Sequence, residues 1–402
     1  MTYNNAVKHI NALPEKHSVG LERMRTLCIA LGSPQKQIRC IHVCGDVGKN
    51  SCSSMLTSII TQSGYTVGRY SLSHPGELRE CIRIGNKPIP HAEFADIVKS
   101  ILNSSDEHPS EEELSRDEML FMIALIYFAQ NNCCTMICER PFGKNEPSTI
   151  ETPMLSVITT VNGGDSRRDF SGVILRGTHE TVTSIQHKDV YSEISATCAE
   201  VGSRLTLPIY ADLEVLKISL FKTVFTYRGA EYSIPGFSPC QLLNAITVIE
   251  AVQAIRRLGA AIPDEAVVKG LAGVDLSLKC HAIAIDPTVI VATVNAENEL
   301  EALIASLAQV RSLLSDTVKV CVSPSCRELC ATLPSRLASC SLACDGPHTL
   351  PDAATTELNS AIKEIISPIT DGRDPHSTTL FVGDEEFMPE LYHQIQKDLG
   401  HL

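Results

Sequence analysis

A chain of 402 residues, 44% hydrophobic and 20% charged, has a globular composition and enough material for two ordinary cores. Its formal net charge of −13 argues against nonspecific nucleic-acid binding, which needs clustered lysine and arginine. No apolar run is long enough to span a bilayer, and Met1-Thr2-Tyr3-Asn4-Asn5 is polar, so a cytoplasmic protein without a membrane partner is expected. The sixteen cysteines are scattered over apolar segments (Cys28, Cys44, Cys134, Cys138, Cys321) with no Cys-x-x-Cys pair. That distribution fits reduced, buried thiols better than disulfides or zinc.

Strands alternate with helices along the chain, which predicts a parallel sheet covered on both faces. The first strand, 40–44, runs into Gly45-Asp46-Val47-Gly48-Lys49-Asn50-Ser51, and a helix follows from Ser53. A strand, a glycine turn, a lysine and a hydroxyl in that order form a phosphate cradle. Backbone N–H groups and the positive helix end face the anion, and the lysine reaches over it. Strict Walker spacing wants a glycine at Val43, so a purely structural strand–turn–helix corner stays open as the alternative. Further strands are expected at 66–70, 135–138, 155–159 and 172–175.

Ser110 with Glu113 reads as a capping box for a helix continuing to Gln130. Residues 178–236 lack a clean helical period and should add strands beside the main sheet. A helix at 240–258 buries Leu243, Val248 and Val252, and Pro263 opens another. A domain boundary is expected near 281–286. Beyond it lie a buried strand at 288–294, a helix at 297–314, and strands at 318–322 and 379–383.

Gly-x-x-Gly-Lys-x-Ser and its flanks resemble the folylpolyglutamate synthase/dihydrofolate synthase branch of the Mur ligase superfamily. The likeness runs in order through Gly20-Leu21-Glu22-Arg23, Gly64-Tyr65-Thr66-Val67-Gly68-Arg69-Tyr70, Glu80, Ile82-Arg83-Ile84, Leu155-Ser156-Val157-Ile158-Thr159, Gln241-Leu242-Leu243-Asn244 and Gly270-Leu271-Ala272. It implies an α/β fold, with a P-loop-type, Mur-ligase-like nucleotide-binding domain over 1–280 and a smaller doubly wound domain over 281–402. The implied reaction is ATP-dependent: a folate carboxylate is phosphorylated and the amino group of glutamate attacks the acyl phosphate. Such chemistry rests on positioning and charge stabilisation.

The resemblance assigns Gly45, Gly48, Lys49, Ser51, Gln241 and Asn244 to the nucleotide, Asn244 reading adenine or else capping a helix. It gives Glu139 and Ser51 to Mg²⁺, His74 to substrate, and catalytic charge to Lys49 and Lys279. Many neighbouring positions depart from the family pattern. Asp46 stands inside the loop, and two unit charges ~4 Å apart at an effective dielectric of ~20 repel by roughly 4 kcal/mol. Asp46 therefore weakens phosphate binding, or turns away, or holds a metal, or closes the site by pairing with Lys49. Phe170 falls in the slot of the family's carbamylated lysine, and Gly163-Gly164-Asp165 in that of a second metal ligand. Lys279 replaces a clamping arginine, keeping charge but losing bidentate geometry. Cys240 replaces a histidine, and Ala292-Thr293-Val294-Asn295 replaces an Asp-Gly-Ala-His-Asn-Pro signature.

The expected protein is therefore a degenerate ligase relative. It holds ATP and Mg²⁺ weakly or not at all, meets nucleotide and folate- or glutamate-like small molecules, and has a partner or regulatory role. An active amide ligase, and an unrelated P-loop hydrolase or structural protein, are the alternatives.

Overall fold

The computed structural model describes the chain apart from residues 16–20, 72–76, 108–113, 141, 143–149, 151, 163–168, 277–279, 285–287, 352–357, 359, 366–376, 385–386 and 400–402. His74 and Lys279 lie outside the described residues, as do Gly163-Gly164-Asp165 and the Ser110–Glu113 box. By packing, the chain divides into two compact units, Met1–Ile209 with Asn244–Leu271 and Tyr210–Leu243 with Ala272–Leu402.

In the first unit, helices α1 (Tyr3–Ala12) and α2 (Glu22–Ala30) precede strand β1 (Arg39–Cys44), helix α3 (Lys49–Gln62) and strand β2 (Val67–Tyr70). Short strands β3 (Ile82–Ile84) and β4 (Lys87–Pro88) lead to helices α4 (His91–Glu107) and α5 (Arg116–Gln130). Strands β5 (Thr135–Glu139), β6 (Leu155–Ile158) and β7 (Glu180–Thr183), helix α6 (Lys188–Val201) and strand β8 (Arg204–Thr206) complete the sheet. Its order is β4-β3-β2-β5-β1-β6-β7-β8. All pairings are parallel except β2 with β3 and β3 with β4. β1 is central and buried from Cys40 to Cys44, the signature of a strand covered on both faces.

The second unit begins with an antiparallel meander, β9 (Leu213–Ile218), β10 (Lys222–Tyr227) and β11 (Ala230–Pro235). Helices α7 (Pro239–Arg257), from Asn244 onward, and α8 (Asp264–Ala272), up to Leu271, return to the first unit. The second unit resumes with β12 (His281–Ala284), β13 (Thr288–Thr293), α9 (Glu297–Gln309), β14 (Thr317–Val322), α10 (Leu333–Ser339), β15 (Ala343–Thr349), β16 (Thr378–Gly383) and α11 (Met388–Leu399). The second large sheet has the order β12-β13-β16-β14-β15, parallel except for β12. Leu220 and Phe237 join its apolar core, so the meander packs with this unit although it precedes residue 280 in sequence.

Three sequence expectations need correction. The strand at 172–175 is instead a 3-10 turn, Phe170–Gly172, followed by Val173 and Ile174, whose N–H groups both donate to the Phe170 carbonyl. An apolar run signals burial, and here a turn buries it in the cluster with Val190 and Ile194. Residues 178–236 are not all strand and loop: α6 buries Val190, Ile194 and Cys198, a four-residue repeat along one helix face. The capping box of α5 is Ser115 with Glu118, the same pattern five residues later. Ser115 Oγ accepts from the Glu118 N–H, and Glu118 Oε2 accepts from the Ser115 N–H at 2.7 Å.

Candidate functional site

The β1–α3 loop is shaped by two glycines. Gly45 has φ +140° and Gly48 φ +95°, both in the region that disfavours a side chain. A Cβ on Gly45 would stand 2.2 Å from Thr159 Oγ1, and one on Gly48 2.6 Å from Asn244 Oδ1. Neither position has room for more than hydrogen. Gly48 is the N-cap of α3, and no side chain caps the helix there or puts negative charge in its first turn. Lys49 opens that helix, as the motif predicts. Its Nζ donates to the Gly45 carbonyl at 2.6 Å and reaches the Asp46 carbonyl at 3.4 Å, so the ammonium sits over the loop itself.

The segment after β6 clamps the loop, which sequence reasoning missed. The Thr160 carbonyl accepts from the Asp46 N–H at 2.9 Å and from the Val47 N–H at 3.1 Å. Those two donors are directed at Thr160 and away from a ligand, leaving the cradle to the N–H groups from Gly48 onward. Asp46 Oδ2 accepts from the Asn162 N–H at 2.8 Å, so that oxygen is turned toward the segment after β6. Gln186 donates to the Thr159 carbonyl at 2.8 Å and accepts from the Val161 N–H at 3.0 Å, which fixes the clamp in turn. No signal in the sequence could have found it, because the Thr160 carbonyl is a backbone group that any residue would supply.

Asn244 is buried and lies in the second turn of α7, since that helix opens at Pro239. It is therefore no helix cap; its amide rests on Gly48. Gln241, in the second unit, is buried, and its N–H donates to the Ser238 carbonyl. Ser51 is buried in the first turn of α3. Burial pushes the Cys44 thiol, at the strand end beneath the loop, up to about 12, against the opposing pull of the Arg140 and Lys49 charges.

Glu139, the metal candidate, ends β5 and is 5% exposed. Arg69 Nε and Nη2 donate to its Oε1 at 3.2 and 3.0 Å, and Ser71 Oγ donates to its Oε2 at 2.8 Å. Arg69 Nη1 also donates to Ser54 Oγ on α3 at 2.8 Å. An anion with a lysine and open helix N–H groups fits this loop. A divalent cation fits poorly, because Mg²⁺ wants near-octahedral oxygens at 2.0–2.1 Å and both Glu139 oxygens already face donors. Phe170, which the sequence resemblance aligned with a modified lysine, is buried and packs edge-on against Phe142 with ring centroids 5.3 Å apart. In the second unit Ala292 is buried in β13, and Asn295 is tied to its own helix: its N–H donates to Glu299 Oε2 at 2.7 Å.

A central parallel sheet with a glycine–lysine turn at the end of its middle strand, in a chain that carries a second α/β unit, defines an α/β protein with a phosphate-loop-type turn. No family model matches the chain. Folylpolyglutamate synthase of Lacticaseibacillus casei is 26% identical over 335 residues, 78% of each chain. The solved folylpolyglutamate synthetase of Lactobacillus casei superposes with a TM-score of 0.79 at 21% identity, over 98% of this chain and 99% of that one. A solved complex of folylpolyglutamate synthase with AMPPCP and folate gives 0.78 at 20% identity, over the same shares. The chain is thus similar in sequence to folylpolyglutamate synthase and shares the two-part fold of its solved structures.

Proposed function

We propose that this protein binds a nucleotide or another phosphate-bearing ligand weakly at the β1–α3 loop and has lost the ATP-dependent addition of glutamate to folate. It acts as a partner or regulator, in or beside folate metabolism. One observation carries the reading: the loop keeps its glycines, its lysine and an uncapped helix start, while Phe170 fills the modified-lysine slot with a ring packed on Phe142. A buried aromatic ring can hold no metal, and losing one electrostatic group of this kind costs about 10²–10³ in rate. The solved relative that binds AMPPCP and folate supports nucleotide as the ligand class. The scatter of sixteen cysteines without a Cys-x-x-Cys pair supports a reducing, cytoplasmic setting.

In this reading Lys49 places its charge on the terminal phosphates, the N–H groups from Gly48 onward hold the oxygens, and Asn244 positions the base side from α7. His74, Gln241 and Lys279 keep the substrate, nucleotide and phosphate roles that the resemblance gives them. The test is calorimetric titration with ATP, followed by an assay of ADP release with tetrahydrofolate and glutamate. Weak binding that Lys49→Ala abolishes, with no glutamate-dependent ADP, is the expected result. Robust turnover by the unmodified protein, lost on Glu139→Ala, would overturn the reading in favour of an active ligase.

A further inference from the structure

Arg69 is an arginine inside a parallel strand of a central sheet. Its backbone pairs with Ile137 of β5, and its side chain is only 12% exposed. β2 alternates: Gly68 lies so close to the Phe128 ring on α5 that a Cβ would stand 2.6 Å from it. Arg69 therefore faces the other side, toward α3, where Ser54 receives one N–H and Glu139 receives two. This one guanidinium ties the phosphate-loop helix to the carboxylate at the end of β5. A divalent cation held by Glu139 would do the same thing: neutralise a buried carboxylate beside the loop and supply positive charge toward a bound anion.

Resting on the phosphate-ligand reading above, we propose that Arg69 is a resident replacement for the divalent cation at Glu139, so that this site takes its phosphate-bearing ligand metal-free. Arginine cannot be deprotonated in a protein, so the charge is permanent and independent of metal supply. Ser71 holds the second carboxylate oxygen and keeps Glu139 aligned with Arg69. The preferred ligand is free ATP or another metal-free polyphosphate.

The test has two arms. In the first, Mn²⁺ alone is titrated into the unmodified protein, Arg69→Met and Arg69→Met/Glu139→Gln, and followed by electron paramagnetic resonance and thermal melting. The expected result is no Mn²⁺ site at Glu139 in the unmodified protein, a site that raises the melting temperature of Arg69→Met, and its loss in the double variant. Mn²⁺ binding by the unmodified protein that Glu139→Gln removes would overturn the proposal. So would an Arg69→Met protein that folds and gains no site, since a purely structural ion pair predicts that outcome. If Arg69→Met does not fold, the unmodified protein and Glu139→Gln still decide. In the second arm, affinity for ATP in excess chelator is compared with affinity for Mg-ATP. Equal or tighter binding of free ATP is expected; tightening by Mg²⁺ of about tenfold or more overturns the proposal. Failure to bind ATP in either form refutes the nucleotide reading, while the Mn²⁺ arm judges Arg69 separately.

Discussion

Two strand-to-helix junctions, one in each unit, occupy equivalent positions at the carboxyl ends of parallel strands and have opposite fates. In the first unit β1 passes through Gly45 and Gly48 into α3. Its one loop carboxylate, Asp46, is drawn off to the Asn162 N–H, and Lys49 stands at the helix start. In the second, β13 passes through Asn295 into α9, whose first turn holds Glu297 and Glu299. Glu299 accepts from the Asn295 N–H, and at the end of β16 Asp384 accepts from the Phe387 N–H at 2.7 Å. A helix start favours an anion in either case. Where the chain supplies its own carboxylate the junction is satisfied from within; where it withdraws the carboxylate and offers a lysine, an external anion has a place.

The largest expected effect tests how dry the interiors of the two units are. Burial pushes the thiols of Cys44 and Cys81 in the first unit and Cys321 in the second up to about 12, from an ordinary 9.0. An unfolded thiol loses its proton near the ordinary value while the folded one keeps it. Stability is therefore complete below pH 9.0 and is lost as pH rises toward the folded value. Three such thiols together remove about 4 kcal/mol per pH unit in that window. Melting temperatures that stay level well above pH 9.0 would show that water reaches these thiols.

Next comes the buried pair of Arg69 and Glu139 on the strands beside the first junction. Removing one partner of a buried ion pair leaves an uncompensated charge, so Arg69→Met should cost about 3–5 kcal/mol in chemical denaturation without divalent metal. Arg69→Met/Glu139→Met should recover most of that loss. A double variant as unstable as the single one would mean that packing, and not charge, carries the penalty.

A smaller effect concerns the loop glycines. Gly48→Ala forces a Cβ onto Asn244 Oδ1 and strains a left-handed backbone, at a cost of roughly 1–3 kcal/mol together with loss of ATP binding. Gly64→Ala has the same sign of φ with nothing within 4 Å, so its cost is confined to the backbone and ATP binding should survive. Equal losses of stability at the two positions, measured by urea titration, would remove Asn244 from the account of the loop. The smallest effect is in the second unit. Glu299→Gln weakens the bond to Asn295 and should cost about 1 kcal/mol in the same titration, with ATP binding unchanged.

Much of the first junction was legible in the sequence because its requirements are local. A buried strand, two glycines needing positive φ and a lysine at a helix start all lie within eleven residues, and no distant group has to be known. The helix α6 and the true cap of α5 were missed for a different reason. Four-residue spacing on a short amphipathic helix is faint, and Ser110–Glu113 and Ser115–Glu118 satisfy the same rule, so local pattern could not choose between them.

What the sequence determined by itself was the order of strands and helices, the family likeness and the position of the loop, because hydrophobic period, turn residues and short motifs act over a few neighbours. Only the tertiary structure decided what each charged group faces. Asp46 meets an N–H 116 residues away, and Arg69 meets a carboxylate 70 residues away. Coulomb and hydrogen-bond energies depend on distance in space and on burial, both of which arise when the sheet assembles. Whether Glu139 can hold a metal or is already satisfied by an arginine is settled there.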